Sequence, residues 1–246
     1  MASPPSIVLF GDSLTEQAFS HERHGFAASL AESYVRRADV LNRGLSGYNS
    51  DWLLSFLEKV LAAQVSEVLL WVIWIGANDA CLPEFPFHVP LDRYRSNLGR
   101  MVSLIRSHAP SKNAKILFLT PPPVDIEMLK VHHRRKGRDR RVDVTESYAE
   151  ACLEVARGLG EGVGVIDFHK AVKERVVGSW SLQQWMTDGL HLGPKGYKLL
   201  NGMVKEYIAT EWKELKPANV PLMAPWVGDL EVVKEWEKAQ VKHDEL

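Results

Sequence analysis

Short runs of apolar residues alternate along the chain with longer stretches in which apolar residues recur every three or four positions. The short runs lie at residues 7–10, 40–41, 68–75, 116–119 and 165–167. Runs of this kind, without a polar position at every second residue, are typical of strands buried on both faces of a parallel sheet. The sequence therefore predicts five strands, with the all-apolar run 68–75 at the centre of the sheet.

The longer stretches predict amphipathic helices between the strands. Apolar residues follow helical spacing over 26–37, 50–60, 94–105, 145–159 and 194–207. Strands that alternate with helices predict an α/β fold with one parallel sheet, right-handed crossovers and helices on both faces.

A chain of 246 residues suits a single sheet of this kind. We expect residues 1–215 to form the domain and residues 216–246 to form a C-terminal appendage. The appendage begins with three prolines and continues as a charged helix that carries Leu230, Val233 and Trp236. Its apolar stripe is expected to pack on the domain, with a contact between subunits of a homo-oligomer as the alternative.

Charge and composition limit the kinds of partner and environment that suit this chain. The chain has 30 Lys+Arg against 31 Asp+Glu and a net charge of -1, so no global field favours nucleic acid. Its longest apolar run, residues 68–75, is too short to span a membrane. The two cysteines, Cys81 and Cys152, are too few for a disulfide framework and indicate a reducing compartment.

The two ends of the chain favour different locations. Residues 7–10 are too short an apolar run for a signal peptide, which predicts a cytoplasmic protein. The last four residues, His243-Asp244-Glu245-Leu246, nevertheless spell an endoplasmic-reticulum retention signal. We interpret them as a polar helix end that matches the signal by chance, and the use of the signal is the alternative.

A basic run at residues 132–141 is the densest cluster of charge in the chain. We expect a solvated, mobile loop there, and a site for an anionic partner is the alternative. The run has no aromatic residues for stacking on single-stranded nucleic acid.

The first predicted strand stops at Gly11-Asp12-Ser13-Leu14. Ser13 either caps the next helix or is presented as a nucleophile at the edge where α/β proteins place their chemistry. A serine nucleophile needs a base, and His191 is the candidate because Asp188, three residues earlier, can fold back to orient its imidazole. The same two residues could instead be a structural pair or half of a metal site, but no third ligand is evident, so we predict neither metal nor cofactor.

Acyl transfer also needs N–H donors for the developing oxyanion. The candidates are the backbone N–H of Ser13, the backbone N–H of Gly44 after the second strand, and the side-chain amide of Asn78 after the third. Gly44 and Asn78 could equally be ordinary turn residues.

Taken together, Gly11-Asp12-Ser13-Leu14, Gly44, Gly76-Ala77-Asn78-Asp79 and Asp188-Gly189-Leu190-His191 resemble the blocks of the GDSL, or SGNH, hydrolases. Within that family the chain is most similar to the isoamyl acetate-hydrolysing esterases, and Thr120-Pro121-Pro122-Pro123 supports this subgroup. The resemblance covers residues 7 to about 210 and leaves out the basic run and the appendage.

The resemblance implies a three-layer α/β/α sandwich with a five-stranded parallel sheet in flavodoxin-like order. It also implies a nucleophile, base and orienting acid at Ser13, His191 and Asp188, with Gly44 and Asn78 in the oxyanion hole.

The expected function is hydrolysis of carboxylic esters, with small acetyl or short-chain esters as substrates, through an acyl-enzyme on Ser13. Leu14, Trp74 and Leu190 are expected to bound the acyl pocket, because they are bulky, apolar neighbours of the catalytic positions. The alternatives are a noncatalytic ligand-binding module and a phosphate binder that uses the first turn. Asp12 opposes the second, since it places an acid where phosphate would approach.

Overall fold

The computed structural model describes residues 3–132, 138–176 and 182–244. In this part of the chain five strands form one sheet in the order β2-β1-β3-β4-β5, with every pairing parallel. The strands are β1 (Ser6–Gly11), β2 (Asp39–Gly44), β3 (Val68–Trp74), β4 (Lys115–Leu119) and β5 (Val163–Ile166). The predicted five-stranded parallel sheet is confirmed, and its order is the flavodoxin-like one.

Helices connect successive strands and cover both faces of the sheet. Those in the described part are α1 (Ser13–Glu16), α2 (Phe26–Ser33), α3 (Ser50–Ala63), α4 (Leu91–Ser107), α5 (Ile126–His132), α6 (Val142–Gly158), α7 (Phe168–Lys173), α8 (Pro194–Glu211) and α9 (Leu230–Asp244). The architecture is therefore the three-layer α/β/α sandwich that the sequence predicts.

Alternate side chains of β1 feed two separate apolar cores. Ile7 and Leu9 pack with buried side chains of α2 and α8 on one face of the sheet. Val8 and Phe10 pack with side chains of α3, α4 and α6 on the other face. Because successive residues of a strand point to opposite faces, an all-apolar strand is the expected sequence for a sheet covered on both sides.

Two predicted boundaries differ from the structure. The second strand is longer than residues 40–41 and runs to Gly44, because it pairs residue by residue with β1 up to Gly11. The first long helix ends at Ser33 rather than at residue 37. Arg36 takes a left-handed backbone conformation, with φ of 63°, which a right-handed helix does not permit.

The first part of the C-terminal appendage contacts the domain. The Arg36 guanidinium donates to the carbonyls of Ala224 and Pro225 at 2.9 and 2.7 Å, and Val220 is buried. In α9 the predicted stripe is only partly covered, since Leu230 is exposed while Val233 and Trp236 are half-buried. The division at residue 215 remains a prediction.

The carboxyl ends of the strands meet at one edge of the sheet. Gly11 pairs with Gly44 of β2 and with Trp74 of β3, so the segments that follow these three residues begin side by side. These segments carry Ser13, the loop 45–49 and Asn78.

Candidate active site

A close approach between β1 and β3 shapes the turn that presents Ser13. A Cβ on Gly11 would lie 2.1 Å from the carbonyl oxygen of Trp74, so no larger residue fits there. Asp12 is the N-cap of α1, and its Oδ1 accepts the Leu14 N–H at 2.9 Å. Because Asp12 fills the capping role, the interpretation of Ser13 as the helix cap is wrong, and its hydroxyl remains available for another contact.

The Ser13 hydroxyl contacts His191, and His191 contacts Asp188. His191 Nε2 lies 2.9 Å from Ser13 Oγ, and its Nδ1 lies 2.6 Å from Asp188 Oδ2. These distances are hydrogen-bond distances, and they link residues that are 178 positions apart in the chain. The structure thus brings together the three side chains that the sequence analysis selected.

The loop that carries Asp188 and His191 has a fixed shape. Asp188 Oδ1 accepts the backbone N–H groups of Leu190 and His191 at 3.0 and 2.8 Å, so one carboxylate both closes the turn and reaches the imidazole. Gly189 has φ of 91°, and a Cβ there would lie 2.4 Å from the carbonyl oxygen of Asp125. The Asp188 carboxylate can therefore reach the imidazole of His191, three residues later, because the backbone folds tightly around that carboxylate.

The Asn78 side chain is held at both ends of its amide. Its Nδ2 donates to the carbonyl of Tyr48 at 2.9 Å, and its Oδ1 accepts from Arg140 at 3.1 Å. A primary amide carries two N–H donors, so one remains after the bond to Tyr48. The backbone N–H of Ser13, at the start of α1, has no protein acceptor among the described residues.

The structure corrects the role expected for Gly44. Its N–H donates to Asn42 Oδ1 at 2.9 Å and is therefore not free for an oxyanion. A Cβ on Gly44 would lie 2.1 Å from the backbone nitrogen of Glu16, so the glycine permits β2 and α1 to pack closely. The next glycine, Gly47, has φ of 82°, and its N–H makes no hydrogen bond to a described residue.

The three side chains expected to bound the acyl pocket are core residues. Leu14, Trp74 and Leu190 are each at most 2% exposed and belong to the apolar cluster between the sheet and helices α2 and α8. Trp74 is fixed further by a hydrogen bond from its indole N–H to the carbonyl of Thr120 at 3.1 Å. The pocket prediction is therefore wrong for this structure, because adjacency in sequence to a catalytic residue does not decide which way a side chain points.

An aromatic cluster that the sequence analysis did not identify lies beside Asn78. The rings of Tyr48 and Phe87 each pack edge-to-face on Trp52, with centroids 5.9 and 6.0 Å away. Trp52, at the first turn of α3, is 43% exposed. Since the Tyr48 carbonyl holds the Asn78 amide, this cluster borders the site.

Asp139 and Arg140 also belong to the site, although the sequence predicted a solvated loop for the whole basic run. Arg140 Nη1 lies 2.7 Å from Asp139 Oδ2, and their side chains are only 2% and 5% exposed. The expectation is wrong at these two positions, because a charged pair can be buried when its charges are matched. Residues 133–137, the middle of the run, lie outside the described residues.

Two buried carboxyl groups flank the catalytic turns. Burial raises the pKa of Asp12 to about 7, and the nearby charge of Asp79 adds to that effect. Burial likewise raises the pKa of Asp79 to about 7, against the hydrogen bonds that its carboxylate accepts from Ser50. Oδ2 of each group is buried without a hydrogen-bond partner among the described residues.

The part of the chain that the structure describes contains no group of three or more His, Cys, Asp or Glu residues that could hold a metal ion. It also contains no helix long and apolar enough to cross a membrane.

Comparison with known proteins agrees with this geometry. A model of the GDSL-like lipase/acylhydrolase family matches residues 9–199. The human protein named isoamyl acetate-hydrolyzing esterase 1 homolog is 34% identical over 236 residues, covering 94% of this chain and 90% of that protein. The isoamyl acetate-hydrolyzing esterase of Saccharomyces cerevisiae is 32% identical over 223 residues, covering 87% and 90%.

A solved structure supports the same assignment. The lipase/acylhydrolase from Enterococcus faecalis superposes with a TM-score of 0.62 at 28% identity, covering 83% of this chain and 95% of that chain. Ser13 and His191 both lie inside the matched residues 9–199. The chain therefore belongs to the GDSL-like lipase/acylhydrolase family and is a serine carboxylic ester hydrolase.

Proposed function

We propose that Ser13, His191 and Asp188 are the catalytic triad of this esterase. The observation that carries the proposal is the continuous path from Ser13 Oγ to His191 Nε2, at 2.9 Å, and from His191 Nδ1 to Asp188 Oδ2, at 2.6 Å. A carboxylate at this distance keeps the proton on Nδ1, which leaves Nε2 free to accept the serine proton. The arrangement fits general-base activation of a serine hydroxyl.

The reaction then proceeds in two stages. In the first, His191 removes the Ser13 proton, Oγ attacks the ester carbonyl, and the alcohol leaves with the proton that His191 returns to it. In the second, His191 removes a proton from water, the hydroxide attacks the acyl-enzyme, and Ser13 regains its proton as the acid departs. Neither stage needs an electron carrier, because only protons and an acyl group move.

The developing oxyanion is stabilised by N–H groups from three strand ends. We assign the Ser13 backbone N–H, the second Nδ2–H of Asn78 and the N–H of Gly47 to this role. Gly47 replaces Gly44 because its N–H makes no hydrogen bond to a described residue and because it directly precedes Tyr48, whose carbonyl accepts from the Asn78 amide. Donors that are already oriented cost little reorganisation when charge develops.

Labelling with a fluorophosphonate probe tests the triad. The wild-type protein should be labelled on Ser13 and hydrolyse p-nitrophenyl acetate, whereas Ser13→Ala should lose labelling and about 10⁶-fold in kcat. An exposed serine of α4, Ser103, serves as the matched control, and Ser103→Ala should behave as wild type. Esterase activity retained by Ser13→Ala would contradict the proposal.

Small acetyl or short-chain esters are the proposed substrates. Relatives named for isoamyl acetate support this class. A series of p-nitrophenyl esters from C2 to C12 should show kcat/KM falling with acyl length, and a preference for C8 or longer would contradict this class.

The location and assembly of the protein are finer proposals. We propose that the protein is cytoplasmic. The buried thiols of Cys81 and Cys152 support this location, because unpaired cysteines suit a reducing compartment. Residues 245–246 of the retention-like end lie outside the described residues. Protection of the intact C terminus from protease in microsomes would contradict a cytoplasmic location.

Exposed apolar residues of α9, such as Leu230, support a contact between subunits of a homo-oligomer. Light scattering of the full chain and of a chain ending at Asp229 would test this contact.

A further inference from the structure

The Arg140 guanidinium contacts the Asn78 side chain and the turn that carries it. The segment before α6 places its guanidinium against three different acceptors: Asp139 Oδ2 at 2.7 Å, Asn78 Oδ1 at 3.1 Å and the Ala77 carbonyl at 3.3 Å. Each acceptor contacts a different nitrogen, Nη1, Nη2 and Nε respectively. The planar fork of the guanidinium therefore ties the segment at residue 140 to the turn at residues 77–78.

These contacts determine which way the Asn78 amide points. A guanidinium has donors only, so the atom of Asn78 that faces Arg140 must be the carbonyl oxygen. The Tyr48 carbonyl is an acceptor only, so the atom that faces it must be the amide nitrogen. With both ends fixed, the second N–H of Nδ2 has a single direction, and the amide cannot turn its oxygen toward a developing oxyanion.

Burial makes this arrangement rigid and keeps Arg140 away from the substrate. The side chains of Arg140 and Asp139 are 2% and 5% exposed, so neither offers surface to a substrate. Asp139 compensates the buried charge, and its backbone carbonyl accepts the Leu82 N–H at 2.7 Å, which anchors the pair to the loop after Asn78. A buried cation beside Oδ1 also draws electron density toward the oxygen and makes the amide N–H groups better donors.

We propose that Arg140, held by Asp139, is a positioning residue that fixes the orientation and polarity of the Asn78 amide for oxyanion stabilisation. The proposal rests on the oxyanion role proposed for Asn78. Arg140 acts through Asn78 and touches no reacting atom, so its loss should lower kcat and leave KM nearly unchanged. The two residues should also be non-additive, since Arg140 has nothing to orient once the amide is gone.

Two variants test Arg140 with different risks to folding. Arg140→Lys keeps a positive charge for Asp139 but has one nitrogen in place of three, so it retains the ion pair and loses the contact with Asn78. Asp139→Asn with Arg140→Met removes both charges, so no unpaired buried charge remains. In both variants kcat for p-nitrophenyl acetate should be about 10- to 100-fold lower than in the wild type, and KM should stay within about threefold of the wild-type value. This loss in kcat is part of the loss expected when one oxyanion donor is removed.

The adjacent residue supplies the matched control. Arg141 is exposed and pairs with Asp143 at 2.6 Å, so Arg141→Met removes an arginine of the same basic run without touching Asn78. Its kcat and KM should equal those of the wild type. Near-ultraviolet circular dichroism and thermal unfolding establish that each compared variant is folded.

The decisive measurement is a double-mutant cycle with Asn78→Ala. Adding Arg140→Lys to Asn78→Ala should lower kcat by less than about twofold more. Folded Arg140 variants with wild-type kcat, or with a loss that multiplies the loss of Asn78→Ala, overturn the inference while the role of Asn78 stands. If Asn78→Ala itself keeps wild-type kcat, the oxyanion assignment fails, and the positioning role fails with it.

Discussion

The two sides of Ser13 are built in different ways. On the base side, Asp188 and His191 lie three residues apart in one loop, and a single carboxylate both closes the turn and contacts the imidazole. On the oxyanion side, the Asn78 amide is held by Tyr48 and by Arg140, which are 30 and 62 residues away. A local turn and a buried tertiary network thus support the same reaction.

The difference has a physical consequence for mutation. The base side depends on one short turn, so the chemistry and the backbone shape are lost together if the carboxylate is removed. The oxyanion side distributes its support over a buried ion pair, an amide and a carbonyl, so single changes there should cost less individually and be strongly coupled.

The base side should show the larger effect. In Asp188→Asn, the backbone N–H groups of Leu190 and His191 claim the amide oxygen, so the amide nitrogen faces Nδ1 and donates to it. The imidazole proton then moves to Nε2, which can no longer accept the Ser13 proton, and kcat should fall about 10⁴-fold.

A nearby aspartate that caps a helix is the control for that substitution. Asp125 Oδ1 accepts the backbone N–H groups of Glu127 and Met128 in a similar turn, so Asp125→Asn should keep wild-type kcat. Steady-state hydrolysis of p-nitrophenyl acetate measures both variants. A loss of less than tenfold in Asp188→Asn would show that Asp188 does not set the tautomer.

The oxyanion side should show an intermediate effect. Asn78→Ala removes one N–H donor and should lower kcat about 10²- to 10³-fold with a smaller change in KM. Asn78→Asp keeps the shape but replaces the donor with a carboxylate oxygen, so kcat should fall at least as far. Asn201→Ala, a change in α8 that leaves the site intact, should leave kcat unchanged. If Asn78→Ala lowers kcat as much as Asp188→Asn does, the contrast between the two sides is wrong.

The smallest effect concerns stability and pH on the oxyanion side. The pKa of Asp79 is raised by burial from 3.8 to about 7, so between these values the folded state holds a proton that the unfolded state has lost. The free energy of unfolding should therefore fall as pH rises through this range. Asp79→Asn cannot ionise, and its difference in unfolding free energy between pH 5 and pH 8 should be smaller than that of the wild type by a few kcal/mol.

Urea unfolding at both pH values measures this difference. Asp92→Asn is the control, because the Asp92 side chain is fully exposed and its loss should leave the pH dependence as in the wild type. An unchanged pH dependence in Asp79→Asn would mean that Asp79 is already ionised in the folded protein at pH 5.

The fold is predictable from the sequence because each strand and helix carries its own periodicity. The all-apolar strands, the glycine and acid before Ser13, and the spacing of Asp188 and His191 are local patterns with local causes. The predictions failed where one residue's role depends on a distant neighbour. Gly44 and Gly47 look equivalent in the sequence, yet only contacts with Asn42 and α1 show that the first is occupied.

Arg140 is a second failure of the same kind. It lies in a run of basic residues, and charge density alone predicts solvent exposure. Nothing in that run indicates that Asp139 pairs with it at 2.7 Å under the loop after Asn78. Trp74, three positions before Ala77, fails in the opposite direction. The sequence predicts that it bounds the acyl pocket, but in the structure it packs in the apolar core, away from the substrate.

The sequence by itself determined the layered sheet, the edge where the site lies, and the turn that joins Asp188 to His191, because these features arise from backbone preferences and hydrogen bonds within a few residues. Tertiary structure decided which N–H groups are free, which side chains are buried and what holds Asn78 in place. Hydrogen-bond satisfaction inside a packed protein depends on every element that converges on a group, and the order of residues does not encode that convergence in any single segment.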